Sequence, residues 1–531
     1  MRLFNTIAAL TCYLELYRSG NQDLIDPVTN PTSVPMDGGV GLVPTMGALH
    51  QGHLSLIRQA RRDNRVVVVS IFVNPLQFSV NEDRDRYPHP MEGDRQLCQQ
   101  AGVDIIFAPS PKELGIQDAP SESCDITMVI PPQGLTLGLC GRTRPNHFPG
   151  VATIVTKLFQ IIQPDRAYFG RKDAQQLAII QRLVMDLNLP VEVIPCPTIR
   201  EADGLALSSR NQYLTATERP MASALYQSLN AAEELFKRGE RSTQVLVNQV
   251  KSQLEEKPFI QLEYVELVDP DQLKPIKTIQ NRGLLAIAAH LGSTRLIDNL
   301  LLQTHQPIIA IDGPAGAGKS TVTRRVAKAL NLLHLDTGAM YRAVTWWVMQ
   351  SQVEMTDQPT IAELIHHCEI KFHPSLNQPE GEGEMRIWIN DHDVTQAIRS
   401  REVTANVSTI ASQPSVRRAL VKQQRRFGEQ GGLVAEGRDM GTHVFPDAEL
   451  KIFLTASVAE RARRRQADLL SRGQPIQHLS ELEHSIAERD RQDSTRRVSP
   501  LRLAEGGIEF ITDDYTIDQV VEKIVNLYRQ L

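Results

Sequence analysis

Residues 307–330 read PIIAIDGPAGAGKSTVTRRVAKAL, and this stretch decides the fold of the second half of the chain. The apolar PIIAID predicts a buried strand, GPAGAGKS matches the phosphate-loop pattern GxxxxGK[ST], and TVTRRVAKAL predicts a helix. In this context, the backbone N–H groups of the loop cradle the phosphates of a nucleotide. Lys319 can reach the β- and γ-phosphates, and Ser320 can ligate Mg²⁺. The stretch therefore predicts a nucleotide-binding α/β domain.

The new strand–loop–helix pattern also indicates a domain boundary. The string LIDNLLLQTHQ (296–306) ends one pattern just before the next begins, in a chain of 531 residues. Single cores seldom grow past about 300 residues, which disfavours the alternative of one large domain with a late nucleotide motif. We predict domains at 1–302 and 303–531, the first divided at about residue 200 into a nucleotide-binding part and a smaller subdomain.

The composition excludes several classes of protein. A hydrophobic fraction of 41% and a charged fraction of 22% are typical of a globular chain. The net charge of −5 provides no global attraction to nucleic acid or anionic membrane. The 6 cysteines show neither CxxC pairs nor zinc-ligand spacing, which fits a reducing compartment. No run approaches the ~18 apolar residues of a membrane span. We predict a cytoplasmic protein that binds neither nucleic acid nor membrane.

The first half alternates strands and helices, which predicts a second α/β fold. The string VGLVPTMGALHQGHLSLIRQA (40–60) reads as a strand, a turn and a helix, and RVVVVSIFV (65–73) reads as a strand buried on both faces. Further strands are predicted at 103–109, 166–170 and 191–197, with helices at 151–163 and 175–187. A surface loop rich in Pro, Asn, Asp and Gly is predicted at 20–39.

Two histidines stand at the start of a predicted helix within VPTMGALHQGH (43–53). Positions three residues apart share one helix face, so His50 and His53 can point at one ligand. The amino end of the helix adds free N–H groups and positive potential, which suit phosphate. A chance HxxH or half of a metal site is the alternative. The preceding strand and the glycines Gly47 and Gly52 favour a nucleotide site.

This pattern resembles the HxGH signature of the nucleotidyltransferase-like adenylating enzymes, a Rossmann-like group. Over about residues 1–300, five blocks in order resemble the pantoate–β-alanine ligase (pantothenate synthetase) family: VPTMGALHQGH, SIFVNPLQF, GRTRPNHFPGVATIV, FGRKDAQQ and DGLALSSRNQYL. The resemblance implies that ATP and Mg²⁺ adenylate (R)-pantoate with release of pyrophosphate. The amine of β-alanine then expels AMP. Ligases of this family are commonly dimeric, so a homodimer through the first half is also implied.

The resemblance assigns roles by position. It predicts His53, as the proton donor, together with His50, Lys172 and Arg210 as catalytic groups. The residues predicted to bind ATP are Met46, Gly47, His50, Gly52, His53, Gly170, Lys172, Asp173, Leu207, Ser208, Ser209 and Arg210. Those predicted to bind pantoate and β-alanine are Gln77, Gln176 and Asn74.

The chemistry of the first step agrees with this set. A carboxylate is already anionic, so its attack on phosphorus needs charge cancellation and alignment rather than a strong base. We expect the positive charge to come from Lys172, Arg210, the two histidines and Mg²⁺. Two alternatives remain from the residues alone: a surface ion pair for Lys172 and Asp173, and a plain helix cap for Ser208 and Ser209.

The second half carries further blocks beyond its phosphate loop. The strings IDGPAGAGKST, LDTGAMYR, SVRRALVKQQRRF, GRDMGTHVFPDA and ERDRQDSTR resemble the bacterial cytidylate kinase family over about 306–531. The resemblance implies a P-loop nucleoside monophosphate kinase domain with a parallel sheet that phosphorylates CMP or dCMP with ATP. Numerous arginines suit this chemistry because they neutralise the charge of the transferring phosphoryl group.

Site residues of the second half follow from the same blocks. The predicted ATP-binding residues are Gly313, Gly316, Gly318, Lys319, Ser320, Thr321, Arg461 and Arg464. Lys319 is also the predicted catalytic residue of this half. Arg465 falls with Arg461 and Arg464 in the expected lid. Ser320 is the predicted Mg²⁺ ligand. The predicted CMP-binding residues are Thr337, Arg342, Ser408, Arg417, Asp439, Arg489, Asp493 and Arg496.

The second half has two alternative interpretations besides that of a small-molecule kinase. The second half could be a regulatory module that senses nucleotide and controls the first half, which predicts a degraded acceptor pocket. It could instead be an ATPase acting on nucleic acid, which predicts a basic domain with aromatic stacking positions. The complete set of acceptor residues disfavours the first alternative, and an aromatic fraction of 5% disfavours the second.

Overall fold

The computed structural model describes residues 1–19, 39–78, 90–116, 126–255, 257–304, 306–373, 386–429, 431–471, 478–495 and 500–531. The chain divides into two compact units, Met1–Thr304 and His305–Leu531. The loop predicted at 20–39 lies, except for its last residue, outside the described residues, and so does Arg496.

The first unit is built on a six-stranded parallel sheet in the order β1-β4-β3-β2-β5-β6. Its strands are β1 Arg2–Phe4, β2 Val40–Thr45, β3 Val66–Ile71, β4 Ile105–Phe107, β5 Arg166–Gly170 and β6 Glu192–Cys196. The chain builds outward from β2 in both directions, so the switch point of the sheet lies between β2 and β5. In open α/β sheets, ligands bind at the carboxyl ends of the strands beside such a point.

Helices cover both faces of this sheet. They are α1 Ile7–Arg18, α2 Gln51–Asp63, α3 Met91–Gln100, α4 Gln133–Thr136, α5 Cys140–Thr143, α6 His147–Ile162 and α7 Ala174–Asp186. Side chains of β3 alternate between two cores: Val66 and Val68 pack on the side of α1, α6 and α7, whereas Val67 and Val69 pack on the side of α2 and α3. The β-branched run predicts this burial on both faces.

A smaller subdomain completes the first unit. It contains α8 Arg219–Ala222, α9 Ala224–Lys237 and α10 Thr243–Glu255, followed by β7 Ile260–Val268, β8 Arg282–Leu291 and β9 Thr294–Gln303. The three strands form an antiparallel sheet in chain order. The sheet and the helices share one core, to which Leu229, Leu246 and Ile287 contribute fully buried side chains. The sequence analysis did not identify these strands, nor the short β1 at the amino terminus.

The second unit has a five-stranded parallel sheet in the order β11-β15-β10-β16-β17 and a three-stranded antiparallel sheet in the order β12-β13-β14. Its strands are β10 Ile309–Asp312, β11 Leu333–Asp336, β12 Ile370–His373, β13 Arg386–Ile389, β14 His392–Asp393, β15 Leu433–Gly437, β16 Leu450–Thr455 and β17 Ile508–Ile511. Its helices are α11 Lys319–Leu330, α12 Thr337–Gln350, α13 Gln358–His366, α14 Arg401–Ala411, α15 Pro414–Phe427, α16 Val458–Ser471, α17 Leu479–Thr495 and α18 Ile517–Tyr528.

The α/β fold class predicted from the sequence is confirmed in both units. The predicted phosphate loop joins β10 to α11, and β10 lies in the middle of its sheet between β15 and β16. The HxGH segment joins β2 to α2 in the same way. Among the residues that the structure describes, no helix is both long and apolar enough to cross a bilayer.

Candidate active sites

A cavity of about 610 Å³ opens in the first unit at the carboxyl ends of β2, β3 and β5. It brings together residues predicted from four separate sequence blocks. The predicted ligase residues that line it are Met46, His50, Gly52, His53, Asn74, Gln77, Gly170, Lys172, Asp173, Gln176, Leu207, Ser208, Ser209 and Arg210. Gly47 is the one predicted member that does not line the cavity.

Gly47 instead shapes the loop that leads into α2. Its φ of +85° is one that side-chain-bearing residues rarely adopt, and an added Cβ would lie 2.9 Å from Oδ2 of Asp94. The Asp94 carboxylate accepts hydrogen bonds from the backbone N–H groups of Ala48 (2.8 Å) and Leu49 (2.7 Å). Asp94 therefore holds the loop from the first turn of α3. Sequence reasoning missed it because nothing local connects residue 94 with this loop.

The two histidines form the cap of α2. Nδ1 of His50 accepts the backbone N–H of Gly52 at 3.1 Å, and Nδ1 of His53 accepts the backbone N–H of His50 at 3.3 Å. Their ring centroids lie 4.1 Å apart. Because Nδ1 accepts in each ring, the proton of the neutral imidazole resides on Nε2, which can donate to a phosphate oxygen.

The electrostatics correct one expectation. Burial, with the charge of Lys172 adding to it, lowers the pKa of His50 to about 4. Burial, followed by the neighbouring His50 and Lys172, lowers the pKa of His53 to about 3. Without bound phosphate both rings are neutral at pH 7, so they offer hydrogen bonds rather than the positive charge expected from the sequence. Of the four side chains expected to supply positive charge, Lys172 and Arg210 are then the two that do so.

The predicted acid-binding side chains are held in a network. Nε2 of Gln77 donates to Sδ of Met46 at 2.9 Å. Nδ2 of Asn74 donates to Oε1 of Gln77 at 3.2 Å and to the carbonyl oxygen of Gly150 at 3.0 Å. Helix α6 can approach this closely because a Cβ on Gly150 would lie only 2.3 Å from the carbonyl oxygen of Leu76. Asn74 thus orients Gln77.

Adjacent glutamines on α7 have different environments. Gln175 is buried and structural: its Oε1 accepts from the N–H of Cys140 at 2.9 Å, and its Nε2 donates to the carbonyl oxygens of Leu135 and Gly138. Gln176 lines the cavity. Consecutive helical positions are rotated by about 100°, which explains why only one of the pair can serve a ligand.

Lys172 lies in a 3₁₀ turn over Arg171–Asp173 that the subdomain fixes. Nδ2 of Asn299, on β9, donates to the carbonyl oxygens of Arg171 (3.0 Å) and Lys172 (2.7 Å). Asn299 is a second residue that sequence reasoning missed, because it lies more than a hundred residues away in the sequence. The expectation that Lys172 and Asp173 line a site rather than a plain surface agrees with their place in the cavity wall.

The predicted ATP-binding segment 207–210 also contacts the loop that leads into α2. Oγ of Ser208 accepts the N–H of Arg210 at 3.3 Å, which is the cap named as the alternative. Oγ of Ser209 donates to the carbonyl oxygen of Ala48 at 3.1 Å. The loop before Arg210 is therefore attached to the turn that carries His50.

In the second unit, the phosphate loop adopts a conformation that only glycine allows at one position. A Cβ on Gly313 would lie 1.9 Å from the carbonyl oxygen of Leu454. Nζ of Lys319 donates to the carbonyl oxygens of Gly313 and Pro314, both at 2.7 Å. Burial, with the nearby charge of Arg438 second, lowers the pKa of Lys319 well below its usual range. These bonds occupy the ammonium group that the motif directs to phosphates.

A buried carboxylate stands beside the predicted Mg²⁺ ligand. Oε1 of Glu436 accepts from Oγ of Ser320 at 2.9 Å, and its Oε2 accepts from Oγ1 of Thr323 at 2.7 Å. Burial opposes its ionisation, but the interactions with His334 and Thr323 and the charge of Lys319 outweigh this and lower its pKa. Sequence reasoning missed Glu436. Only the folded sheet brings it opposite Ile311 of the phosphate-loop strand.

Asp312, at the end of β10, is another residue that the sequence analysis missed. Its two carboxylate oxygens accept the N–H groups of Met440 and Gly441, both at 2.8 Å. Complete burial raises its pKa to about 6, although these two hydrogen bonds oppose the shift. Asp312 therefore fixes the turn after Asp439 to the strand that precedes the phosphate loop.

Several of the predicted acceptor residues form ion pairs, of which that between Arg417 and Asp439 is buried. Nη2 of Arg342 donates to Oδ2 of Asp336 at 3.2 Å. Oγ1 of Thr337 donates to the carbonyl oxygen of Glu436 at 2.6 Å. Among the described residues, the buried Nε atoms of Arg342 and Arg417 have no hydrogen-bond partner. Buried donors left in this way are uncommon in proteins and suit an anionic ligand.

Other predicted residues have different surroundings. Arg461 binds Asp490 through two nitrogens and donates to the carbonyl oxygen of Ala315 in the phosphate loop. Arg464 donates to Glu460 and to Thr512. Asp493 accepts from Arg438, which the sequence analysis did not single out. Burial, with Arg438 second, lowers the pKa of Arg489. Ser408 is exposed on α14, and Thr321 lies in the first turn of α11.

The two sites define a class of protein: an α/β enzyme with a Rossmann-like HxGH unit and a phosphate-loop unit, acting on small molecules with ATP. The sequence matches the family described as pantoate-beta-alanine ligase over residues 27–301 and the family described as cytidylate kinase over residues 309–530. The chain therefore belongs to the bifunctional pantoate ligase/cytidylate kinase family.

Full-length relatives support this membership. A bifunctional pantoate ligase/cytidylate kinase of Trichormus variabilis is 58% identical over 100% of this chain and 99% of the relative. The protein of the same name from Trichodesmium erythraeum is 54% identical over 100% of this chain and 98% of the relative. A pantothenate synthetase structure from Thermus thermophilus covers 56% of this chain and 99% of its own, with 42% identity and a TM-score of 0.49. The family matches favour two enzymes over the regulatory-module alternative.

Proposed function

We propose that the first unit condenses (R)-pantoate with β-alanine through a pantoyl adenylate, releasing pyrophosphate and then AMP. The observation that carries this proposal is that the capped histidine pair, Lys172, Arg210, Gln77 and Gln176 all line one cavity. Neutral Nε2–H groups on His50 and His53 would donate to phosphate oxygens, and the two cations would neutralise the pyrophosphate as it leaves.

The part of the cavity wall formed by Gln77 and Gln176 suits a carboxylate nucleophile. Gln77 and Gln176 are neutral and can orient pantoate through hydrogen bonds. A direct ion pair would hold the carboxylate charge more strongly and make it a weaker nucleophile. The bond between Asn74 and Gln77 pre-organises this side, so less orientation is lost when the substrate binds.

We propose that the second unit transfers the γ-phosphoryl group of ATP to CMP or dCMP. The observation that carries this proposal is that the buried Nε atoms of Arg342 and Arg417 have no hydrogen-bond partner among the described residues. Bound nucleotide would draw Lys319 from the carbonyls of its own loop. Asp439 and Asp493 are proposed to accept hydrogen bonds from cytosine or sugar groups, since carboxylates do not bind phosphate.

Mg²⁺ is proposed for both reactions. In the second unit, the Ser320 hydroxyl and the Glu436 carboxylate provide the hard oxygen ligands that this ion prefers, 2.9 Å apart. When bound, the ion would neutralise charge on the phosphates of ATP. Ser320 and Glu436 are held together in the ligand-free site, and the low pKa of Glu436 keeps its carboxylate ionised.

Two variants test the assignment of one reaction to each unit. Lys319→Met should abolish CMP-dependent release of ADP and spare pantothenate formation, whereas His53→Ala should do the reverse. Products are separated from labelled ATP as AMP, pyrophosphate and ADP, with each acceptor added alone. Equal loss of both activities in Lys319→Met would contradict two independent sites.

Three further features belong to the proposal. We place the boundary between the enzymes at about residue 302, near the division of the chain into compact units. A homodimer through the first unit and a cytoplasmic location are also proposed. Sedimentation of the purified chain measures the oligomeric state, and fractionation of cells measures the location.

A further inference from the structure

A buried hydroxyl group in the cavity wall of the first unit has no partner. Ser70 lies on β3, is fully buried and lines the cavity. Among the residues that the structure describes, its Oγ atom takes part in no hydrogen bond. Burial removes a hydroxyl group from water, which costs stability unless another group replaces the lost bonds. The sequence analysis did not single out Ser70, although it begins the SIFVNPLQF block.

Other buried hydroxyl groups around the same sheet are satisfied within the protein. Oγ1 of Thr45, on β2, donates to the carbonyl oxygen of Ser70 at 2.8 Å. Oγ1 of Thr153, on α6, donates to the carbonyl oxygen of Pro149 at 2.7 Å. The bond from Thr45 holds the backbone of Ser70, so the position of this residue does not depend on its own hydroxyl group. The Oγ atom of Ser70 is therefore available to a ligand in the cavity.

The strand pattern places Ser70 on the face of the sheet that packs against α6. Side chains alternate between the two faces of a strand, so Ser70 shares its face with Val68 and Phe72. These two side chains belong to the core that contains α6, whereas Val69 and Ile71 belong to the core on the side of α2. The residues of the α6-side core that also line the cavity include Phe72, Val151, Ile154, Val155 and Leu158. Ser70 thus adds a hydroxyl group to a mainly apolar part of the cavity wall.

Pantoate has chemical groups that suit this part of the wall. Its third carbon carries two methyl groups, and its terminal carbon carries a neutral hydroxyl group. The carboxylate stays with the cations Lys172 and Arg210, because moving a charge to the fully buried Ser70 would cost its hydration. The other hydroxyl group is on the carbon next to the carboxylate and stays at that end of the molecule. The terminal hydroxyl group is therefore the one that suits Ser70, with the two methyl groups against the apolar side chains.

We infer that Ser70 determines the acid specificity of the ligase through a hydrogen bond between its hydroxyl group and the terminal hydroxyl group of pantoate, an inference that rests on the proposed ligase function. Each hydroxyl group can donate and accept, so either direction of the bond satisfies Ser70. An acid without this hydroxyl group leaves Ser70 buried and unpaired, and the cavity binds it less well. Ser70 takes no part in proton transfer or in bond breaking.

The test combines one substitution with one change of substrate. Pantoate is compared with its deoxy analogue, in which a hydrogen replaces the terminal hydroxyl group. Acid-dependent exchange of labelled pyrophosphate into ATP gives kcat/KM for each acid without β-alanine. Ser70→Ala removes only the hydroxyl group. Ser228→Ala is the matched control, because Ser228, on α9, is equally buried, does not line the cavity and donates from Oγ to the carbonyl oxygen of Leu225 at 2.8 Å.

In Ser70→Ala we expect kcat/KM for pantoate to fall about 10-fold or more, while kcat/KM for the deoxy analogue changes by less than about threefold. In Ser228→Ala we expect both values to stay unchanged.

Thermal unfolding gives a second readout that separates a ligand contact from a structural role. The midpoint should not fall in Ser70→Ala, because the free chain loses no hydrogen bond, but it should fall in Ser228→Ala. Equal losses with the two acids, an unchanged kcat/KM for pantoate, or a lower midpoint in Ser70→Ala would overturn the inference. Absence of pantoate-dependent exchange in the unaltered chain would instead contradict the proposed function itself.

Discussion

A buried ion pair in the first unit offers a test of how the subdomain supports the ligase cavity. Arg200 binds Asp298 through two nitrogens, at 2.6 and 2.9 Å, and donates to the carbonyl oxygen of Gly204 at 3.1 Å. Its guanidinium carbon lies 3.7 Å from the ring centroid of Tyr226. Asp298, on β9, has a side chain only 2% exposed. The pair therefore anchors the turn that precedes Ser208 to the subdomain sheet.

Asp298→Asn keeps the shape of the side chain but leaves Arg200 with an uncompensated charge. Removing one partner from a buried pair typically costs about 3–5 kcal/mol. We expect the lower end, about 3 kcal/mol, because the Arg200 side chain is 17% exposed and keeps its bond to Gly204. For a unit of this size, the midpoint of thermal unfolding should fall by about 6 °C.

The assay is thermal unfolding followed together with both activities. Asp186→Asn is the control, because Arg182 and Asp186 form an exposed pair on α7, with side chains 48% and 38% exposed. Exposed pairs contribute at most about 1 kcal/mol, so this midpoint should barely move. We also expect ligase activity to decline in Asp298→Asn while CMP phosphorylation is unchanged. Equal shifts in the two variants would refute the reasoning from burial.

Three other changes test separate features. First, the free energy of unfolding of the first unit should rise as pH increases from about 4 to 6.5, because His50 and His53 bind protons in the unfolded chain over this range but not in the folded one. Denaturant titrations at each pH measure this rise, and His53→Gln should make it smaller. Second, Gly313→Ala should abolish CMP kinase activity, since its Cβ would meet the carbonyl oxygen of Leu454, whereas Gly134→Ala, which meets nothing within 4 Å, should leave both activities intact. Third, Arg342→Gln should raise the KM for CMP by about 10-fold or more and change the KM for ATP little, as measured by coupled assays with each substrate varied.

The sequence by itself specified the parts whose chemistry is local. The phosphate loop needs glycines, a lysine and a hydroxyl within eight positions, and the HxGH segment needs two histidines on one helix turn, so both can be read without knowing the fold. The apolar strands around them were equally readable, because a parallel strand buried on two faces is a continuous β-branched run. Burial of residues 66–71 follows from that pattern.

Tertiary structure decided which distant side chains complete each site. Asp94 and Asn299 hold the first site, and Asp312 and Glu436 hold the second, yet none of them stands in a local pattern that announces its partner. The protonation of the histidines was also beyond the sequence, because burial beside Lys172 lowers their pKa values and makes them neutral donors. Hydrogen bonding and desolvation depend on what the folded chain brings within a few ångströms, and sequence separation does not encode that distance.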